Sequence, residues 1–405
     1  METTYDDEER LKLLWKITRK TYQISEYDTT LYFAGVQERL AEKSKNQKMF
    51  ANATWAKAMV YRKKDNLRIT IKYLIEALDL YEELKDKRKV PIALYNIGKI
   101  FFDINDIENA LFYLRQALKE NRKSKNGIFS AAIHYEIARC LIEVADYKES
   151  LFNLRQCIKI NDLKINPGLT SKAHNYLGVN YYKLKDYDRA IIEYERSREL
   201  AVGLKDYNLK SAISHNNIGE VYIEKEDYQR ARMYYEKALV LKRELDNKEL
   251  LAGTLINLAK LDLLENKPSP AIAHLEGIVQ ILDKNRISKN LKEASLLLNQ
   301  AYKSKQNLTA GDLQKIIDLN EQYARLINEL KEAEFQQSIL STILKNELRS
   351  EAVYLGEKVD KVRHFSLWLA CFCLLVIIGF LILLYYQKQK FKLFVSQMWQ
   401  DIKDI

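Results

Sequence analysis

Apolar and polar positions along this chain follow a pattern that repeats about every 40 residues. A small residue recurs at steps of 40, 40, 40, 41 and 40 residues, and we number it position 8 of each unit. Position 8 holds Ala58, Gly98, Ala138, Gly178, Gly219 and Ala259. Position 11 holds Tyr61, Phe101, Leu141, Tyr181, Tyr222 and Asp262, and position 20 is again small in most units. A fixed period of this size predicts a solenoid of stacked helix pairs that cross closely at the small residues.

Short polar breaks divide each unit into two helices. Examples are residues 105–106, 145–147, 185–187 and 226–228, each of which contains Asp. Asp and Asn cap helix N-termini, so each break is predicted to be a tight turn between two antiparallel helices. On either side, apolar residues recur at spacings of three and four, which indicates amphipathic helices.

The units resemble the tetratricopeptide repeat, whose signature joins Leu-Gly-x-x-Tyr to a later Ala and aromatic residue. Residues 177–194 and 218–238 match this signature. The usual repeat has about 34 residues, so each unit here has about six more, which are expected to lengthen the second helix and its following loop. The resemblance implies an all-α superhelical solenoid of antiparallel helix pairs.

Residues 51–282 carry six clear repeats. Residues 1–50 and 283–325 are interpreted as degenerate helix pairs at the two ends, because an end repeat has one face in water.

The C-terminal part of the sequence changes character. Residues 313–362 contain no Pro and predict one long helix, either a weak coiled coil or a single helix that packs back on the solenoid. Residues 365–386 carry no charge and are long enough to cross a membrane, so we expect one transmembrane helix there. Residues 387–405 predict a basic amphipathic tail on the lipid surface or, alternatively, a frayed stub held by its lysines.

Composition limits the classes of function. Only 12 Gly and 4 Pro occur in 405 residues, which suits a nearly all-helical chain. The net charge of +10 is spread among interleaved acidic residues, so no segment predicts nucleic-acid binding. The acidic residues 1–9 do not form a secretory signal, which favours a cytoplasmic solenoid. Three basic residues lie on each side of residues 365–386, so the charge distribution does not decide on which side of the membrane the solenoid lies.

No pattern in the sequence indicates catalysis, a metal or a cofactor. Phosphate loops, nucleophile elbows and His-Glu-x-x-His motifs are absent from the sequence. His134, His174 and His215 share position 4 of successive units, where structural packing is the favoured interpretation and pH sensing the alternative. Cys140 and Cys157 are interpreted as small apolar core residues. We therefore expect a protein that is not an enzyme.

The tetratricopeptide resemblance implies that positions 2, 5, 6, 9, 12 and 13 line a concave groove. Asn side chains there could hold the backbone of an extended peptide, and Lys or Arg could bind an acidic group. The alternative is a hydrated polar helix face without a ligand. The candidate groove residues are Asn96, Lys99, Arg139, Lys172, Asn175, Asn216, Asn217, Asn257 and Lys260.

The order of repeats, long helix and span resembles the tetratricopeptide membrane proteins of Bacteroidetes-type bacteria, in which the span leads to a signalling output domain. Unlike them, this chain is expected to have no signal peptide and no output domain after residue 386. The first hypothesis is a single-pass scaffold in a bacterial inner membrane that binds a protein or peptide and contacts lipid through residues 365–405. The alternative is a receptor that signals through a separate partner. The long helix could also pair two copies into a homodimer.

Overall fold

The computed structural model describes residues 6–321 except 125, 162–165, 246 and 283–288, together with scattered positions between 324 and 342. All described elements up to Ser341 belong to one compact unit. This part of the chain is helical and contains no strand. The helices are α1 (Asp7–Gln23), α2 (Tyr27–Lys43), α3 (Gln47–Lys63), α4 (Leu67–Glu83), α5 (Lys89–Asp103), α6 (Ile107–Ser124), α7 (Gly127–Glu143), α8 (Tyr147–Ile160), α9 (Pro167–Lys183), α10 (Tyr187–Leu200), α11 (Tyr207–Glu224), α12 (Tyr228–Glu244), α13 (Lys248–Leu264), α14 (Pro268–Ile281) and α15 (Lys289–Lys303). Residues 310–321 are also helical.

The predicted tight turns are confirmed, and one residue serves both helices at each of them. At the turn from α7 to α8, Ala145 adopts a left-handed conformation with φ of 58°. The N–H of Asp146 donates to the carbonyl of Leu141 at 2.9 Å, which ends α7. The Asp146 carboxylate then accepts the N–H of Glu149 at 3.0 Å, which begins α8. Asp186 and Asp227 cap α10 and α12 in the same way.

The extra residues of each unit are not confined to the second helix, so that expectation is wrong. The first helices α3, α7, α9 and α13 each have 17 residues, and the second helices range from 14 in α8 to 18 in α6. The reason is a second, shorter spacing within the 40-residue repeat. Asn or Asp recurs about every 20 residues, close to the start of each helix, so both helices of a unit have similar lengths. These residues are Asn46, Asn66, Asp86, Asp106, Asn126, Asp146, Asn166, Asp186, Asp206, Asp227 and Asn247.

Helix contacts define an inner and an outer side of the solenoid. Each helix packs against its sequence neighbours, and α1, α5, α7, α9, α11 and α13 also contact the next odd-numbered helix. The odd-numbered helices therefore lie on the inner side. Large apolar side chains of the even-numbered helices face solvent on the outer side, where Phe112, Phe152 and Ile192 are more than half exposed.

In three of the clear units, aromatic side chains at positions 11 and 23 stack on each other where the two helices cross. Tyr61 stacks on Tyr73 with 5.7 Å between ring centroids. Phe101 stacks on Tyr113 at 5.5 Å, and Tyr222 on Tyr234 at 5.6 Å. In the last clear unit this pair is instead Asp262 and His274, joined between Oδ2 and Nδ1 at 3.0 Å. A buried polar contact thus replaces an aromatic one.

The predicted membrane span at 365–386 and the tail at 387–405 lie outside the described residues, as does most of the predicted long helix at 313–362. Among the residues that are described, no helix is both long and apolar enough to cross a membrane.

Candidate ligand-binding groove

The candidate groove residues all lie on odd-numbered helices, and most of them bond to a neighbouring repeat. The Asn96 side chain accepts a hydrogen bond from Arg62 Nη1 at 2.9 Å and donates to the carbonyl of Ile92 at 2.8 Å. Arg62 lies on α3 and Asn96 on α5, so this bond joins two repeats. The Asn96 amide is therefore engaged on both its oxygen and its nitrogen.

Lys99 and Arg139 converge on the same carboxylate. Lys99 Nζ lies 3.6 Å from Glu136 Oε1, and Arg139 Nη1 lies 2.7 Å from Glu136 Oε2. Arg139 Nε also donates to the Tyr176 hydroxyl at 3.2 Å, which extends the contact from α7 to α9. The buried Glu136 carboxylate thus joins α5 to α7, and Arg139 joins α7 to α9.

The same kind of contact continues through the C-terminal repeats. Asn217 Nδ2 donates to Asn175 Oδ1 at 3.1 Å. Asn216 and Asn257 each donate to Glu220 Oε1 at 3.0 Å. We call this series of side-chain bonds between odd-numbered helices the inner ladder. Lys260 extends it to α15 through an ion pair with Glu293 at 2.6 Å.

The ladder changes the role expected of the asparagines. Their amide groups bond to each other, to carboxylates and to Arg62. Of the nine candidates, Lys172 is the one with no hydrogen bond or ion pair among the described residues. The asparagine side chains consequently join the repeats, and free binding capacity is concentrated near Lys172.

Two adjoining cavities of about 260 and 460 Å³ open at Lys172, and we call them together the central groove. Both are lined by Tyr135, Lys172, Asp206 and Lys210. Lys99 and Asn175 line one cavity each. The other six candidates do not line either of these cavities: Asn96, Arg139, Asn216, Asn217, Asn257 and Lys260.

Three groove residues come from the segment before and at the start of α11, and the sequence argument missed them. Asp206 and Lys210 form an ion pair, and this neighbour lowers the pKa of the Asp206 carboxyl. Lys205 is exposed beside them and, like Lys172, has no described carboxylate within ion-pair distance. The available signal was the 20-residue series of Asn and Asp, which places Asp206 between Asp186 and Asp227.

Aromatic side chains form the apolar wall of the central groove. Tyr135 and Tyr176 meet edge to face with 5.4 Å between ring centroids. Tyr95 lines the larger cavity beside Tyr135. Burial raises the pKa of both the Tyr95 and the Tyr135 hydroxyls, so these rings stay neutral and can offer contact area together with a hydroxyl.

A buried lysine supports the C-terminal part of the ladder. Lys242 is 5% exposed, and its ammonium donates to Thr254 Oγ1 at 2.6 Å. Burial lowers the pKa of Lys242 to about 8, while the nearby Glu220 carboxylate opposes that shift. Burial likewise raises the pKa of Glu220. Thr254 Oγ1 in turn donates a hydrogen bond to Asn216 Oδ1 at 3.1 Å, so this network is part of the inner ladder.

The three histidines at position 4 pack between the two helices of their units, each against a different partner. His134 Nδ1 lies 2.7 Å from Asn153, and His174 Nδ1 lies 2.6 Å from Glu193. His215 Nδ1 is buried and has no hydrogen-bond partner among the described residues, and burial lowers its pKa to about 4. His215 therefore stays neutral across the physiological pH range.

The two described cysteines carry no reactive chemistry. Cys140 and Cys157 are buried and free, and burial raises the pKa of each thiol to about 12. Among the described residues, no group of three or more His, Cys, Asp or Glu side chains could hold a metal ion.

Comparisons with solved structures agree with this fold. The apo form of RapI superposes with a TM-score of 0.63 at 14% identity, over 82% of this chain and 90% of that one. The apo form of the quorum sensor NprR from B. thuringiensis superposes with a TM-score of 0.56 at 16% identity, over 84% of this chain and 99% of that one. A Rap protein in complex with Competence and Sporulation Factor superposes with a TM-score of 0.52 at 16% identity, over 81% of this chain and 99% of that one. At these identities the likeness concerns the fold alone.

The family comparison identifies the repeats directly. No curated protein matches the chain significantly. Residues 50–119, 169–244 and 210–284 match the family described as Tetratricopeptide repeat. These segments include α3 to α5 and α9 to α13, where the small residues of position 8 lie at the helix crossings. The repeats in residues 50–119 and 169–284 thus match the tetratricopeptide repeat family, and the described part of the chain forms a helical-repeat solenoid of that type.

Proposed function

We propose that this chain is a non-enzymatic scaffold, anchored in a membrane, that binds an acidic protein segment or extended peptide in its central groove. The observation that carries the proposal is the pair of exposed lysines, Lys172 and Lys205, which make no hydrogen bond or ion pair among the described residues and line one opening. Every other candidate cation of the groove is already neutralised by a carboxylate or bound to the ladder.

Charge and shape favour an acidic, extended ligand. A carboxylate that binds Lys172 and Lys205 gains charge-assisted hydrogen bonds without breaking an existing ion pair. The Tyr95 and Tyr135 rings offer amphipathic contact area next to these cations. The cavities join along the inner side of α5, α7, α9 and α11, which suits a chain segment more than a compact small molecule.

The proposal is tested by charge reversal in the central groove. A peptide array with acidic, neutral and basic sequences is probed with the full chain, and the tightest binder is titrated against variants. We expect acidic peptides to bind and Lys172→Glu/Lys205→Glu to weaken binding by about tenfold or more, which corresponds to at least about 1.4 kcal/mol. The wild-type affinity should also fall with added salt.

The matched control is Lys119→Glu/Lys159→Glu. These two lysines are exposed on the outer helices α6 and α8, and their reversal changes the net charge equally. If both double variants lose the same affinity, the effect is one of overall charge and the central groove is not the site. Preference of the array for basic or neutral peptides would likewise contradict the proposal.

We propose that residues 365–386 hold the scaffold in the membrane and that residues 387–405 contact lipid. The support is the uncharged sequence of this segment and the three lysines that follow it at 388, 390 and 392. We expect the full chain to remain in the membrane fraction after carbonate extraction and a chain truncated after residue 341 to be released. Protease access to the repeats in intact spheroplasts then shows on which side they lie. Release of the full chain by carbonate would refute the anchor.

A further inference from the structure

A second cavity, of about 580 Å³, lies at the N-terminal end of the inner side, between α1, α3 and the start of α5. Its apolar walls include the indole rings of Trp15 and Trp55 and the side chain of Met59. We call it the N-terminal cavity. Its volume lies within the roughly 300–1,000 Å³ of cavities that hold drug-sized ligands.

Three cations and one carboxylate surround this cavity. Arg19, Lys48 and Lys89 line it together with Asp86. The Asp86 carboxylate already accepts the backbone N–H groups of Arg88 and Lys89, at 3.0 and 3.1 Å. Neither Arg19 nor Lys48 has a described carboxylate within ion-pair distance. Positive charge is therefore in excess.

The position of Lys89 shows that these cations lie close together. Its ammonium lies 5.9 Å from the Trp55 ring centroid and 5.8 Å from that of Tyr81. Burial lowers the pKa of Lys89, Asp86 opposes this, and the positive charges of Arg19 and Lys48 lower the pKa further. An anion in the cavity would relieve this mutual repulsion.

Asn52 adds a donor at the same wall. It is 7% exposed, and its oxygen accepts the Tyr81 hydroxyl at 3.3 Å. The described contact of its Nδ2 is the sulfur of Met49 at 3.9 Å, which is a weak acceptor. A buried amide N–H₂ beside a cavity would gain a stronger bond from a ligand oxygen.

We propose that the N-terminal cavity binds an aromatic carboxylate, with its ring against Trp15 and Trp55 and its carboxylate at Lys48, Arg19 and the Asn52 amide. Apolar indole walls together with excess positive charge match a ligand that carries one aromatic and one anionic group. A free aromatic acid and the last residue of a peptide that ends in Phe share this chemistry. The site is separate from the central groove and does not depend on it.

The test uses the full chain in detergent micelles, with Trp368→Phe and Trp399→Phe. Of the four Trp residues, these substitutions leave only Trp15 and Trp55, so the tryptophan fluorescence reports on the cavity. The probes are N-acetyl-phenylalanine, its amide, and a tetrapeptide ending in Phe with a free or an amidated C-terminus. We expect both acids to quench saturably and both amides to bind at least about tenfold more weakly, a difference of about 1.4 kcal/mol. Tighter binding of the free-acid tetrapeptide identifies a peptide terminus, and equal binding of both acids identifies a small acid.

Variants separate the cavity from other surfaces. Lys48→Met and Arg19→Met should each weaken binding of the acids and leave binding of the amides unchanged. Lys63→Met, an exposed lysine at the end of the same helix α3, is the matched control and should bind like the wild type. Lys172→Glu/Lys205→Glu should also bind like the wild type. Equal affinity for acid and amide, no effect of Lys48→Met, or no saturable quenching by any probe would overturn the proposal.

Discussion

Replacing Asp262 by Ala is expected to lower the free energy of unfolding by about 3–5 kcal/mol, because it removes one partner of a buried ionic network. The Asp262 carboxylate is 1% exposed. It lies 2.7 Å from Arg232 Nη2 and 3.0 Å from His274 Nδ1. Without it, a partly buried guanidinium keeps only its contact with Glu265, and the imidazole loses its partner.

Urea denaturation followed by circular dichroism measures the loss, and hydrogen exchange locates it in α13 and α14. The control is Asp262→Tyr/His274→Tyr, which copies the stacked Tyr222 and Tyr234 pair of the preceding unit. This double variant should lose much less stability than Asp262→Ala, since an apolar pair can replace a buried polar one. Wild-type stability in Asp262→Ala would show that the network contributes nothing.

Gly219→Ala is expected to cost about 1–3 kcal/mol, because the added methyl group would overlap an immobile ring. A Cβ at Gly219 would lie 2.5 Å from Tyr235 Cε1 and 2.7 Å from Cδ1. Tyr235 is 2% exposed, so its ring has no free space to move into. Gly178 stands in the same relation to Tyr194, again with 2.5 Å to the nearest ring carbon, and should respond alike.

The matched control for this substitution is Gly253→Ala in α13. A Cβ there meets no heavy atom within 4 Å, so the change should stabilise the helix by about 0.5–1 kcal/mol. Thermal unfolding of the two single variants therefore gives shifts of opposite sign. A Gly219→Ala variant as stable as Gly253→Ala would mean that the helices can separate at this crossing.

Local features of the sequence are sufficient to predict the helix pairs. Asp146 and Asp186 cap their helices through contacts three residues away, so the information lies within each turn. The 40-residue repeat does not show how long each helix is. That length follows from the Asn or Asp residues at half this spacing, which begin two helices of similar length in each unit. Gly178 and Gly219 mark the helix crossings because only a residue without Cβ fits under a tyrosine ring there.

The inner side could not be predicted in the same way. Asn175 and Asn217 bond to each other although 42 residues separate them, and that distance depends on how the repeats stack. Lys205 enters the central groove from the segment before α11, where only Asp206 belongs to the 20-residue series of Asn and Asp. The N-terminal cavity has a weak signal in Trp15 and Trp55, which are one repeat period apart, but their charged neighbours come from three helices.

The restriction of helix contacts to near neighbours has a geometric consequence. Among the described helices, the main contacts join elements one or two places apart in the order α1 to α15, so the distance between the two ends is set by a series of such interfaces. A small rotation at one interface therefore displaces every later helix, and the displacement grows with distance from that interface. A ligand that draws α5 and α9 together would thus move the helices at both ends by far more than it moves the residues it touches.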